Sequence, residues 1–153
     1  MTDRLESQGV PSLKPYEAPA APPEGSFRIT FGRCPVHTQG HTVNNPMLFE
    51  QMPENVLWVS TSVGEKLRIA DGEEIEVSSN GHSGRIKARL TPLIHPEAVF
   101  MVHGFGHRLP VESRAFGKGI LDNDFMPGGL DVWDPAGGAV AMQEHFVLVR
   151  KVS

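Results

Sequence analysis

The sequence predicts a mainly β protein, a barrel or sandwich whose short strands are joined by long functional loops. Six short apolar segments point to it, several of them alternating apolar and polar residues as half-buried strands do. Glycine, proline and the pairs Asp71-Gly72 and Asn80-Gly81 fall between them as turn signals. One stretch, just after residue 60, carries the helical i, i+4 spacing.

Taken in order, residues 1–26 hold five prolines and few large apolar side chains, which predicts a linker or tail of extended backbone. Residues 27–153 form the folded domain. Phe27 to Phe31 alternates as the first strand and runs into Gly32-Arg33-Cys34-Pro35, followed by a polar loop rich in His, Thr, Gln and Asn. Val56 to Val59 is a short buried strand. Ser60 is placed to cap a helix over Ser62 to Leu67, with Val63 and Leu67 facing the core. Asp71-Gly72 turns the chain into Glu73 to Val77, where Ile75 and Val77 share one face. Asn80-Gly81 closes a hairpin onto Arg85 to Leu90. Ala98 to Val102 is a fully buried strand ending in Gly104 and Gly106, and Phe146 to Val149 is the last strand. Loops as long as 32–55 and 104–144 commonly belong to binding sites or to surfaces covered by a partner.

Composition excludes several functions. The net charge of −4 argues against non-specific nucleic-acid binding. Cys34 is the only cysteine, so an internal disulfide and a cysteine zinc cluster are ruled out. No apolar run reaches the roughly 20 residues that span a bilayer. Met1 to Gly9 is polar, so the chain as written is expected to lack a signal peptide and any membrane insertion. Charge placement says more than its total. Three stretches, between Glu24 and Glu50, Val77 to Pro96 and Ala98 to Val111, contain no carboxylate but several Arg, Lys and His. Brought together they would form an electropositive cleft suited to an anionic ligand. Chance clustering along the chain is the other reading.

Leu57 to Val77, with its strand, short helix and Leu67-Arg-Ile-Ala-Asp-Gly72 turn, resembles a hallmark of the molybdopterin dinucleotide-binding domain. Asn80 to Leu90 and Glu97 to Gly106 resemble the hairpin and strand that follow it there. The resemblance implies a double-psi β-barrel with one or two short helices, the domain that closes the C-terminus of large dimethyl sulfoxide reductase-type enzymes. Gly32-Arg33, His37-Thr-Gln-Gly-His-Thr42, Asn44-Asn45, His103-Gly-Phe-Gly-His107 and Asp134-Pro-Ala-Gly-Gly138 resemble the catalytic subunits of thiosulfate, polysulfide, arsenate and tetrathionate reductases. The implied cofactor is molybdopterin guanine dinucleotide, its molybdenum or tungsten held by the cofactor and by a ligand from another domain. The implied partners are the remaining domains of a parent catalytic subunit, then iron–sulfur and membrane-anchor subunits. The parent would lie in the periplasm or on the outer face of the cytoplasmic membrane and carry out a two-electron reduction of a sulfur or arsenic oxyanion or of polysulfide. No catalytic side chain is expected in this chain.

A diphosphate-linked dinucleotide calls for backbone N–H groups, close-approach glycines and neutral or cationic side chains. The loop His37, Thr38, Gln39, Gly40, His41 and Thr42 supplies all of these and, by resemblance, lies against the pterin. The other candidates are Arg33 as a planar donor, Ser60 at a strand-to-helix junction, His103, Gly104 and His107 after the buried strand, Asn123, and the weaker Gly137, Gly138 and Gln143. Related domains often carry Asn-Pro-x-Asp across 60–63; here Ser60, Thr61, Ser62 and Val63 stand there, which leaves Ser60 as a helix cap or a nucleotide contact. Cys34, followed by Pro35, reads as a small semi-buried residue.

Three rival readings stand beside this one. The first is a histidine-based metal-binding protein: His37-x-x-x-His41 and His103-x-x-x-His107 share an interval that would pair imidazoles on a helix to hold zinc, although Pro35 and the neighbouring glycines oppose helix there and no third ligand stands at a diagnostic spacing. A double-psi barrel could serve as an adaptor module, which would need an exposed apolar patch. A freestanding decarboxylase on the same barrel would need a self-processing Gly-Ser site, which the sequence does not carry in the expected context.

Overall fold

The computed structural model describes residues 4, 6–9, 16, 18, 20–112, 114–126, 128, 138–140 and 145–152. Six strands close into a barrel: β1 (Ser26–Gly32), β2 (Leu57–Ser60), β3 (Glu74–Ser79), β4 (His82–Thr91), β5 (Ala98–Val102) and β6 (His145–Lys151), in the order β1-β5-β2-β4-β3-β6. The pairs β1/β5 and β2/β4 are parallel, and the other four are antiparallel. This is the double-psi β-barrel, so the choice between barrel and sandwich falls to the closed form.

Alternation builds the core. Ile29 and Phe31 of β1, Leu57 and Val59 of β2, Ile75 and Val77 of β3, Ile86 and Ala88 of β4, Val99 and Met101 of β5, and Val147 and Val149 of β6 all point inward and are buried. Each strand therefore offers every second side chain to one interior, which is what closure demands. Two helices join the barrel, α1 (Pro46–Gln51) and α2 (Thr61–Leu67); α2 packs Val63 and Leu67 onto this cluster, and Phe125 adds to it from a late loop.

The turns follow the sequence. Asn80 and Gly81, with φ of 51° and 79°, are the two central residues of a hairpin that pairs Ser79 with His82. Both need positive φ, which Asn tolerates and Gly favours. Asp71 Oδ1 accepts Leu90 N at 2.7 Å and ties the Asp71-Gly72 turn to β4. Lys151 donates to Glu73 across 2.7 Å; that ammonium, with the Ala70 N–H, holds the Glu73 carboxyl below the usual carboxylate value.

Two expectations are corrected. Ser60 occupies the N-cap position of α2, which starts at Thr61, but makes no side-chain cap bond; its hydroxyl lies 3.0 Å from that of Ser62. The loop 32–55 is not free of regular structure: a 3₁₀ turn covers Gln39–His41 and α1 covers Pro46–Gln51. Asn45 caps α1 by accepting from Met47 N and Leu48 N, with Pro46 at the first helical position. A second core cluster of Val43, Val102, Phe105 and Ala115 lies beneath these loops. No helix among the described residues is long and apolar enough to cross a membrane.

Candidate functional site

The parallel pairing of β1 and β5 sets Gly32 beside Val102, so the loops leaving both strands emerge at one end of the barrel. The Gly32 carbonyl accepts His103 N at 2.9 Å and locks the two exits together. Beyond them the backbones touch. Gly104 has φ +91°, and a Cβ there would lie 2.5 Å from both Gln39 C and Gly40 N. A Cβ at Gly40 would meet His107 Nε2 at 3.2 Å. Glycine at 104 is required by conformation and by close approach together.

A third segment joins them. Asn55 is almost fully buried, donates to the carbonyls of Val102 and Ile120 at 3.1 and 3.0 Å, and accepts Ile120 N at 3.0 Å. It fastens the chain near 120 to the end of β5, and a 3₁₀ turn over Asp122–Phe125 follows. Asp122 Oδ2 lies 2.7 Å from His103 Nδ1, and the opposite face of this histidine's surroundings is closed by Phe31, stacked at 5.8 Å and 22°. The result is a cleft of about 390 Å³ lined by Gln39, Gly40, His103, Gly104, Asp122 and Asn123 among others. Through His107 and Leu121 it adjoins a groove of about 260 Å³ that reaches Gly84 of β4 and Arg108.

The structure sorts the sequence candidates. Gln39, Gly40, His103, Gly104, His107 and Asn123 line the cleft; Thr38 and His41 are exposed on the loop beside it. His37 does not face it. Its ring is buried edge-on to Phe105, with Nε2 2.9 Å from the Met52 carbonyl and Nδ1 3.4 Å from Thr42 Oγ1. Thr42 Oγ1 also accepts Thr38 N at 2.8 Å, so both residues shape the loop from behind. Arg33 opens on a different cavity, and Ser60 lies at the opposite end of the barrel, since Val59 pairs with Val99 and not with Val102. Gln143 and Gly137 lie outside the described residues; Gly138 is exposed.

The electropositive cleft is also revised. Two acid-free stretches meet at the cleft, and the third reaches only its adjoining groove, through Ser83 and Gly84. The carboxylates come from Asp122 and Asp124, which belong to none of the three. Asp122 faces His103, and Arg108 is paired with Asp124. Lys87 pairs with Glu54 at 2.6 Å, which holds its ammonium above the usual lysine value, and Arg85 lies 3.7 Å from Glu74. Neither Asp122 nor Asn55 is a sequence candidate. Asp122 stands in the sequence beside Asn123, whereas Asn55 sits in a loop with no local signal of burial.

Residues 27–146 match the family described as "Molydopterin dinucleotide binding domain". The chain belongs to this family. It is 29% identical over 150 residues to the thiosulfate reductase molybdopterin-containing subunit PhsA of Salmonella typhimurium, a match covering 98% of this chain and 19% of that protein. It is 32% identical over 103 residues to the arsenate respiratory reductase molybdopterin-containing subunit ArrA of Chrysiogenes arsenatis, covering 63% of this chain and 12% of that one. The domain thus spans less than a fifth of the length of these relatives. Acetylene hydratase from Pelobacter acetylenicus contains the same fold, with a TM-score of 0.80 at 16% identity over 97% of this chain and 22% of its own.

The cleft suits one part of the family's cofactor, a molybdopterin dinucleotide. A pterin is flat and carries donors and acceptors around its edge. Gln39, Asn123 and His103 offer carboxamides and an imidazole, and glycines 40 and 104 leave backbone within reach. The pyrophosphate is not matched in the same way. Among the described residues, the one Arg or Lys lining the cleft and its groove is Arg108, already engaged by Asp124.

Proposed function

We propose that the domain holds the pterin end of a molybdopterin guanine dinucleotide in the cleft between the 39–42 and 103–107 loops, as part of a larger molybdenum or tungsten reductase. The observation that carries this reading is the glycine-enforced contact of these loops, with polar side chains facing the space they enclose. When bound, the cofactor supplies the metal's dithiolene ligands and the electron-transfer chemistry. The domain's own residues bind and orient. Gln39 and Asn123 hydrogen-bond the pterin edge, Gly40 and Gly104 bring backbone groups to it, and His41, Thr38 and His107 border it. His37 and Thr42 keep the loop in shape. Arg33, Ser60 and the segment with Gln143 are left for contacts further along the dinucleotide.

The parent polypeptide, on this reading, reduces thiosulfate, polysulfide or a related oxyanion outside the cytoplasmic membrane. Its remaining domains, and iron–sulfur and membrane-anchor subunits, supply the metal's protein ligand and the electrons. The similarity to PhsA over 98% of the chain supports this choice of substrate class. The test is a cofactor assay on the full-length protein purified from cells that make molybdopterin guanine dinucleotide. Q39A/N123A should lower bound molybdenum and acid-released GMP several-fold without moving the melting midpoint. Full loading in that variant contradicts the site.

An adaptor reading draws on one feature. Thr30, Phe100, Trp58 and Arg89 are successive cross-strand neighbours on the outside of the barrel and line a cavity of about 680 Å³, with Leu93 83% exposed at its edge. A W58A variant that keeps its cofactor but loses a protein partner would favour that reading for this face.

A further inference from the structure

Four histidines stand on the two loops that form the cleft, and their surroundings differ. His37 is buried with both ring nitrogens near protein oxygens, and His107 Nε2 lies 3.1 Å from the Gly104 carbonyl. His41 is exposed. His103 has a buried carboxylate behind it: Asp122 Oδ2 is 2.7 Å from Nδ1, with side-chain exposures of 18% for the histidine and 6% for the aspartate.

That contact fixes where the ring proton sits. An ionised carboxylate only accepts, so Nδ1 carries the hydrogen, and in the neutral ring Nε2 is left with its lone pair. Among the described residues Nε2 has no protein partner and is not fully buried, and His103 is one of the residues that line the cleft. The stack on Phe31 holds the ring plane. Asp122 is itself fixed, its second oxygen 3.4 Å from Gly104 N and its segment anchored two residues earlier by Asn55.

We propose that Asp122 is a positioning residue that holds His103 in the Nδ1–H tautomer, so that Nε2 faces the cleft as a hydrogen-bond acceptor for a ligand N–H. The proposal rests on the functional reading above for the identity of the ligand, a ring or exocyclic N–H of the pterin. It differs from an ordinary polar contact in sign: without the carboxylate, an imidazole prefers its proton on Nε2 and would present a donor to the same spot. At metal-ligating histidines, removing the partner that sets the tautomer costs about 10- to 100-fold in affinity or activity, and the same orienting role is assigned to Asp122 here.

Two measurements test it. In the 153-residue chain, two-bond nitrogen–proton NMR of ¹⁵N-histidine protein at about pH 8, above the ordinary histidine range, reads which ring nitrogen of His103 bears the proton. We expect Nδ1 in the wild type and Nε2 in D122A. Nε2–H in the wild type, or an unchanged tautomer in D122A, overturns the proposal. In the full-length protein, molybdenum and GMP content are compared for D122A, H103Q and the double variant. A glutamine in place of His103 can turn its amide oxygen to the cleft without help. D122A should therefore cost several-fold in cofactor content when His103 is present and little in the H103Q background. An equal loss in both backgrounds makes Asp122 merely structural and overturns the ligand role. If the wild type carries no molybdopterin guanine dinucleotide, the functional reading fails, while the NMR result still decides the His103–Asp122 half.

Discussion

One side chain that shapes the cleft does not line it. Asn55 uses both its amide hydrogens and its oxygen on the backbone of Val102 and Ile120, at 1% exposure. Gly119 has φ +66°, and a Cβ there would lie 2.1 Å from Asn55 Oδ1, so the loop is threaded around the amide. Replacing Asn55 with alanine leaves backbone groups buried without partners, each costing about 1–3 kcal/mol. N55A should therefore lose about 3 kcal/mol in urea unfolding, with amide exchange accelerated at Ile120. A loss below about 1 kcal/mol would mean that water replaces the amide without penalty. The same residue marks the limit of sequence reading at this scale. His103 and Gly104 were legible through a motif; Asn55 is a buried polar residue, identifiable only once Val102 and Ile120 are seen to converge on it.

At the scale of elements, strands were legible because burial alternates along them and because Asn80-Gly81 admits one hairpin. Ala98–Val102 is read with its observed bounds; the other strands run one to three residues past at least one expected end, where pairing continues after the apolar pattern stops, while β2 and β3 begin one residue later than expected. Helix α1 carried a readable start in Asn45-Pro46, masked by its six-residue length, too short to establish a helical period. Helix α2 docks through a missing side chain. Gly64 is buried against Leu90, where an added Cβ would approach to 2.6 Å. Overpacking of this kind costs about 1–3 kcal/mol, so G64A should destabilise by that amount in thermal unfolding. L90A should destabilise alone by about 2–3 kcal/mol, yet the G64A/L90A double variant should be more stable than the sum of the two. Strict additivity would show that Leu90 does not limit the approach of α2 to β4.

Over the whole molecule, closure of the barrel converts sequence distance into site geometry. β1 and β5 lie about seventy residues apart in register, Arg28 opposite Ala98, and their parallel exits bring the 32–42 and 103–107 loops to one end. The three acid-free stretches pointed to a basic cleft, but charge pairing across the fold decided otherwise: Asp122 and Asp124 arrive from a later loop, and Lys87, Arg85 and Arg108 each meet a carboxylate. No local pattern shows which carboxylate a distant loop will deliver. The measurement that bears most directly on the account is an experimental structure of the full-length protein with its cofactor bound. A pterin seated in the cleft lined by Gln39, Gly40, His103, Gly104 and Asn123, with an N–H directed at His103 Nε2, is the result the account predicts. A pterin lying elsewhere, for instance along the Trp58–Phe100 face, with the cleft lined by Gln39, His103 and Asn123 left empty, would contradict it.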